Sequence, residues 1–265
     1  MPWPVPWDYS APRCEVCLEK NVSVIEFPPM TSSPRDPSSG TSARAHAGHA
    51  TAGQVRVASW NLLRRVGAKA EDVARLIRSY HPDLMLLQEA TEEISALPSL
   101  VGGHFFRHPM QKRIYGLAAW SPHPFPQTSA LHLPMSVLPA AVPRRMAQIV
   151  KFHGISFANV HLSHGQFLNR FQLAHIAYAL EGPAAIIGDF NAVGPIVMPE
   201  FRDIGPRQWT HKSANVVSLR LDRCMGREVR CLQAAVLDKG PSDHHPILLE
   251  LVHAAHALPV RAARV

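Results

Sequence analysis

The sequence has no run of about 18 apolar residues, so no segment is expected to cross a bilayer as a helix. Its opening, Met1-Pro2-Trp3-Pro4, lacks a charged stretch followed by an apolar one, and a secretory leader is therefore not expected. Cysteine is scarce: four in 265 residues cannot staple a chain of this size, and reduced thiols in a cytoplasmic protein are the expectation. Cys14 and Cys17 form a Cys-x-x-Cys pair, but Cys224 and Cys231 have the wrong spacing to complete a zinc ribbon, so the pair is read as incidental.

What is present is a composition suited to one sizeable core. Hydrophobic residues make up 46% and charged residues 18%, as in a folded enzyme rather than a disordered chain. The net charge is +7, and it is uneven. Residues 54–265 carry 23 Lys/Arg against 15 Asp/Glu, so the part expected to fold is the basic part. A positive surface suits a polyanionic partner, either nucleic acid or an acidic lipid headgroup, and a monomer is expected.

Residues 1–53 read as a tail, with eight prolines and a small, polar run from Thr31 to Gly53. Within it only Val22 to Phe27 alternates like a strand, and Met30 offers an alternative start. The domain is expected over 54–252, followed by a short tail at 253–265. Val55 to Trp60 alternates with period two, as a half-buried strand does. Val73, Leu76, Ile77 and Tyr80 mark a helix that ends at His81-Pro82, because proline disfavours helical geometry in its predecessor. Leu84 to Leu87 is wholly apolar, as in a strand covered on both faces.

Further strands are expected at 115–120, 146–152, 155–161, 184–187, 216–221, 231–237 and 247–251. A second helix is expected over Gln166 to Leu180, with Phe167, Phe171, Ala174 and Tyr178 on one stripe. Many strands, few helices and a hairpin at Gly154 indicate a layered α/β sandwich rather than alternating parallel units.

Polar residues gather at the strand ends: Asn61, Gln88-Glu89, His161, Asp189 with Asn191, Asp222 at the close of Val217 to Leu221, and Asp243-His244 before the last strand. Brought to one edge they would form an acidic, histidine-containing cleft. Oxygen donors from Glu89, Asp243, Asn61 and Asn191 suit a hard cation such as Mg²⁺ or Mn²⁺ better than zinc, and such a cleft can cleave a phosphoester. Taken singly, a strand-end Asp or Asn more often caps a turn, and His245 and Pro246 serve packing and turn geometry. Arg220, Arg223, Arg227 and Arg230 form either a phosphate-facing surface or solvated charge.

The ordered set Trp60-Asn61, Leu87-Gln88-Glu89, Val160-His161-Leu162, Gly188-Asp189-Phe190-Asn191, Leu221-Asp222 and Ser242-Asp243-His244-His245-Pro246 resembles the endonuclease/exonuclease/phosphatase superfamily, which includes deoxyribonuclease I. That resemblance spans about residues 54–252 and implies a four-layer sandwich of two packed mixed β-sheets flanked by helices. It also implies roles. Glu89 would be the principal metal ligand with Asn61 and Asp243, Asp189 would activate water, and Asn191 would orient the phosphate. His244, paired with Asp222, would lie over that phosphate, and Arg145 would contact it. His161 stands where apurinic endonucleases of the superfamily carry asparagine, which points away from abasic-site repair. Trp120-Ser121-Pro122-His123-Pro124 departs from the family pattern, and Tyr115 is not assigned as a catalytic tyrosine.

The function expected on these grounds is metal-dependent hydrolysis of nucleic-acid phosphodiesters. The alternatives are a phosphatase or phosphodiesterase acting on a lipid headgroup or small phosphorylated metabolite, and a non-catalytic binding module on the same scaffold. The last is disfavoured because no site position is lost.

Overall fold

A computed structural model describes residues 53–124, 128–135, 144–213 and 217–256. The expected tail up to residue 52, the strand-like Val22 to Phe27, Met30, the Cys14/Cys17 pair and residues 257–265 lie outside the described residues.

The alternation of the first strand, β1 (Gln54–Asn61), sorts the domain into layers. Val55 and Val57 face a second sheet, while Ala58 and Trp60 face helix α1 (Ala70–Tyr80) on the other side. This helix buries Val73, Leu76 and Ile77, as their spacing requires, and stops where His81 turns left-handed ahead of Pro82. Strand β2 (Leu84–Thr91), short helix α2 (Leu97–Val101), and strands β3 (His104–Pro109), β4 (Tyr115–Ser121) and β5 (Thr128–His132) follow. Next come β6 (Met146–Phe152), β7 (Ile155–His161), helix α3 (Gln166–Ala179) and β8 (Ala184–Asp189). The chain closes with β9 (Arg202–Asp203), β10 (His211–Ser213), β11 (Val217–Leu219), β12 (Asp222–Arg227), β13 (Val229–Val236) and β14 (Ile247–His253). A 3₁₀ turn at Ala254–His256 carries ordered structure beyond Val252.

Two six-stranded sheets result, ordered β13-β14-β1-β2-β4-β3 and β5-β6-β7-β8-β12-β9, with β10-β11 as a separate ribbon. Each large sheet is antiparallel except for one pair, β1 with β2 in the first and β7 with β8 in the second. Val57, Leu84, Leu86, Ile247 and Leu249 of the first sheet pack against Val150, Phe157, Ala185 and Ile187 of the second. Helices α1 and α2 cover the outer face of the first sheet, and α3 covers that of the second. The chain is thus an α/β sandwich of four layers.

Three readings of the sequence need correction. The helix expected at Gln166 forms, but Phe167, Phe171 and Tyr178 are exposed. It buries Asn169, Gln172, Leu173 and Ile176 instead, because the two amides bond the backbone beside the strand ends: Asn169 donates to Phe190 O, and Gln172 Nε2 to Pro134 O at 3.0 Å. Asp222 does not close a strand; it opens β12, whose Arg223, Gly226 and Arg227 hid it from a hydropathy pattern. The arginine series, finally, is largely structural. Arg220 and Arg223 hold Asp203 at 2.7 and 3.3 Å, and Arg227 caps Leu180 O and Gly182 O.

Gly188 shows how tightly the parallel pair of the second sheet is built. Its φ is 138°, and a Cβ there would lie 2.2 Å from Val160 O, on the strand alongside. Gly188→Ala should therefore cost at least about 2 kcal/mol in urea denaturation, because the obstruction is backbone. Gly182→Ala, also at positive φ but facing open space, should cost about 1 kcal/mol. Equal losses at the two positions would refute the steric account.

Candidate active site

The two parallel pairs end side by side, and that brings the polar residues together. Asn61 lies opposite Gln88 in the first sheet, and His161 opposite Asp189 in the second. Beneath them a fully buried layer joins the sheets: Gln88 Nε2 donates to Ser59 Oγ (3.0 Å) and Asn159 Oδ1 (2.7 Å). Asn159 Nδ2 in turn reaches Leu87 O and Ala118 O, both at 3.1 Å, and Gln148 Oε1 at 3.0 Å.

Glu89 enters the cleft by a break in strand alternation. Register against β4 shifts between Leu87 and Ala90, and Glu89 takes a left-handed φ of 55°. This is a β-bulge: Leu87 and Ala90 both pack toward α1, while the residues between them serve the inner side. The Glu89 carboxylate lies 3.9 Å from His161 Nδ1 and 3.8 Å from Arg64 Nε. Burial raises its pKa, and Asp189 adds to this against the pull of Arg64.

Asp189 is the centre of the cluster. Its Oδ1 accepts the Asn191 backbone N–H at 2.9 Å, and its Oδ2 accepts Asn61 Nδ2 at 3.0 Å. Two imidazoles flank the same Oδ2, His161 Nε2 at 3.6 Å and His244 Nε2 at 3.8 Å. Burial raises the Asp189 pKa although His244 opposes it. Asn191, at φ 48°, turns its amide back onto Asp189 and Leu162 O, so it fastens the carboxylate to the exit of β7.

His244 is anchored from three sides. Trp60 Nε1 donates to its carbonyl (3.0 Å), its own N–H donates to Ser242 Oγ (3.1 Å), and Ser242 Oγ donates to Asn61 O (2.7 Å). The ring Nδ1 meets Asp222 Oδ2 at 2.8 Å. Burial alone would depress its pKa, but Asp222 and then Asp189 outweigh it and push it up to about 10. His161 lies deeper among positive neighbours, and burial, Arg145 and His244 hold its pKa well below the ordinary value. One histidine is therefore cationic and the other neutral.

Arg145 is buried beside them while Arg144, its neighbour, is exposed. Its Nε and Nη1 have no hydrogen-bond partner. Burial lowers its pKa, and Tyr115, Asp189 and Glu89 work the other way. Asp243 is the chain neighbour of His244, with its carboxylate 3.4 Å from His211 Nε2. His211, Asp243 and His244 place ligand atoms within 4.8 Å of one another, although His244 in its cationic form has no lone pair to offer a metal ion. All nine site positions read from the sequence thus border this one region.

Neither His211 nor Arg64 is marked by any pattern in the sequence. His211 belongs to a three-residue strand and meets the His244 ring at a tilt of 53°, with a centroid distance of 4.5 Å. Arg64 follows Leu63 in a left-handed turn and lies 5.2 Å from the Tyr115 ring centroid.

Residues 58–244 match the Endonuclease/Exonuclease/phosphatase family, and the chain belongs to that family, whose members are generally phosphoester hydrolases that use divalent metals. Among solved structures it is similar to a conserved protein of unknown function from Enterococcus faecalis V583, with 20% identity, a TM-score of 0.64, and coverage of 75% of this chain and 99% of that one. An endonuclease/exonuclease/phosphatase from Beutenbergia cavernae DSM 12333 is 18% identical with a TM-score of 0.62, covering 76% and 72% respectively. A humanized D. rerio TDP2 is 18% identical with a TM-score of 0.59, covering 75% and 98%. These likenesses establish the fold; no curated relative matches the sequence. Among the described residues no helix is long and apolar enough to cross a membrane.

If Asp222 is what charges His244, Asp222→Asn should bring the imidazole titration down from about 10 toward 6.5, read by NMR of the ring nitrogens in metal-free protein. The pairing stabilises the fold fully below the ordinary imidazole pKa and is lost as pH rises through about 10. The stability gap between wild type and variant should therefore close at high pH. An unmoved titration would exclude Asp222 as the cause.

Proposed function

We propose that the chain is a divalent-metal-dependent phosphodiesterase that hydrolyses nucleic-acid backbones by in-line attack of water. The observation that carries this reading is Arg145, a buried guanidinium with two unpartnered nitrogens beside Asp189 and Glu89. A buried cation in that state needs an anion, and a planar fork of donors suits a phosphate.

The residues also fit a hard cation. Glu89 Oε2 and Asp243 Oδ1 are buried oxygens without hydrogen-bond partners, and Asn61 Oδ1 accepts only the Leu63 N–H at 3.1 Å, leaving a lone pair free. Glu89, Asn61 and Asp243 would hold Mg²⁺ or Mn²⁺, which when bound offsets charge on phosphoryl and leaving oxygens.

The protein's own groups divide the remaining work. Asp189, fixed by Asn61 and Asn191 and made more basic by burial, takes the proton of the attacking water. His244, kept cationic by Asp222, stabilises the charge that grows on the phosphoryl oxygens, and Arg145 binds the same group. His161 has an unpartnered Nδ1 in its neutral ring and can donate one hydrogen bond without adding charge.

Asp189→Asn should lower kcat on single-stranded DNA by about 10²- to 10⁴-fold with little change in KM, and EDTA should abolish turnover until Mg²⁺ or Mn²⁺ is restored. Turnover that survives both treatments would refute the proposal.

A further inference from the structure

Beside Arg145 the surface opens into a cleft of about 470 Å³ lined by Gln111, Lys112, Arg113 and Arg144. The first three come from the turn between β3 and β4, and Arg144 from the segment leading into β6. The turn is pinned at both ends, by Arg113 N–H to Met110 O and Met110 N–H to Tyr115 O, each 3.0 Å, and Lys112 adopts a left-handed φ of 56°. Its cations therefore stand on a short, closed loop.

No acid faces them. Among the described residues, the side chains of Lys112, Arg113 and Arg144 make no hydrogen bond or ion pair. Several arginines elsewhere are paired with acids, among them Arg56 with Glu250, Arg107 with Glu92, Arg220 with Asp203, and Arg227 with Glu200. Three like charges brought together without a counter-charge repel one another, and an anion in their midst relieves that repulsion.

The cleft also adjoins the chemistry. Arg144 is the chain neighbour of Arg145, and the charge of Arg113 is close enough to act on the Arg145 guanidinium. Among the described residues its lining is three cations and an amide, donors of the kind that grip a phosphate.

We propose that this cleft seats a second phosphate of the substrate, the one flanking the scissile diester on a polynucleotide strand. This rests on the phosphodiesterase reading and extends it: the protein grips at least two successive phosphates, and a substrate with one phosphate leaves the cleft unused. Recognition there is independent of sequence and falls with salt.

The test uses the full chain and the triple variant Lys112→Ala/Arg113→Ala/Arg144→Ala. With bis(p-nitrophenyl) phosphate, which has a single phosphate, the variant should match wild type within about twofold; with oligothymidylate its KM should rise about tenfold or more with kcat preserved. Equilibrium binding of fluorescein-labelled oligothymidylate in EDTA should weaken comparably, and the slope of log Kd against log salt should fall by about 2. Equal effects on both substrates, or oligonucleotide binding untouched by the triple substitution, would overturn the proposal. The binding arm is independent of turnover: if wild type cleaved neither substrate, the phosphodiesterase reading would fail, yet oligonucleotide binding that the variant lost would still sustain the cleft. Thermal melts of the variant close to wild type would show that exposed charge, not folding, was removed.

Discussion

The hydrogen bond from Gln88 to Asn159, 2.7 Å long and fully buried, is the constraint on which the site depends. It joins the parallel pair of one sheet to that of the other directly below the functional side chains. Apolar packing between sheets tolerates small slips because it is not directional, whereas a buried amide pair forfeits its bonds if the sheets move. With Ser59 and Gln148 it fixes Asn61 and Gln88 on one sheet relative to His161 and Asp189 on the other. The cluster's distances are inherited from that alignment.

Above this layer the cluster separates two histidines by their surroundings. His244 has Asp222 at hydrogen-bond distance, and His161 has Arg145 and His244 among its electrostatic neighbours. The same side chain thus supplies a fixed positive charge at one point and a neutral donor at another, with Asp189 between them. Placing a positive charge on both would put two cations around one carboxylate; charging neither would leave two buried carboxylates, Asp189 and Asp222, facing each other across β8 and β12.

Much of this was legible because strand ends carry their polarity in sequence. Asn61, His161 and Asp189 each follow an apolar alternation, and α1 declares its buried stripe and its proline stop. What failed did so for physical reasons. The α3 aromatics look like a core stripe, but the helix is turned by amide bonds from Asn169 and Gln172 that no hydropathy pattern records. Strands β3 and β5 sit at sheet edges, half exposed, and have no apolar run to mark them. Asp222 opens a strand dressed in arginines, and His211 reaches the site from a ribbon too short to show periodicity. The bulge at Glu89 was invisible too, although its product, a glutamate after a buried strand, was not.

The pairing of β1 with β14, from Gln54 opposite Val252 to Ser59 opposite Ile247, joins the first described strand to the last. It sets the order in which the molecule can mature. Until β14 docks, one edge of β1 is unpaired and the Ser242–His244 segment has no β1 terminus to fasten to, so the imidazole and its carboxylate partner are not yet assembled. A chain cut short before Ile247 keeps Asp222 and His244 in its sequence but lacks the strand, β14, that brings His244 to β1. Competence in this architecture is acquired last, with completion of the sheet.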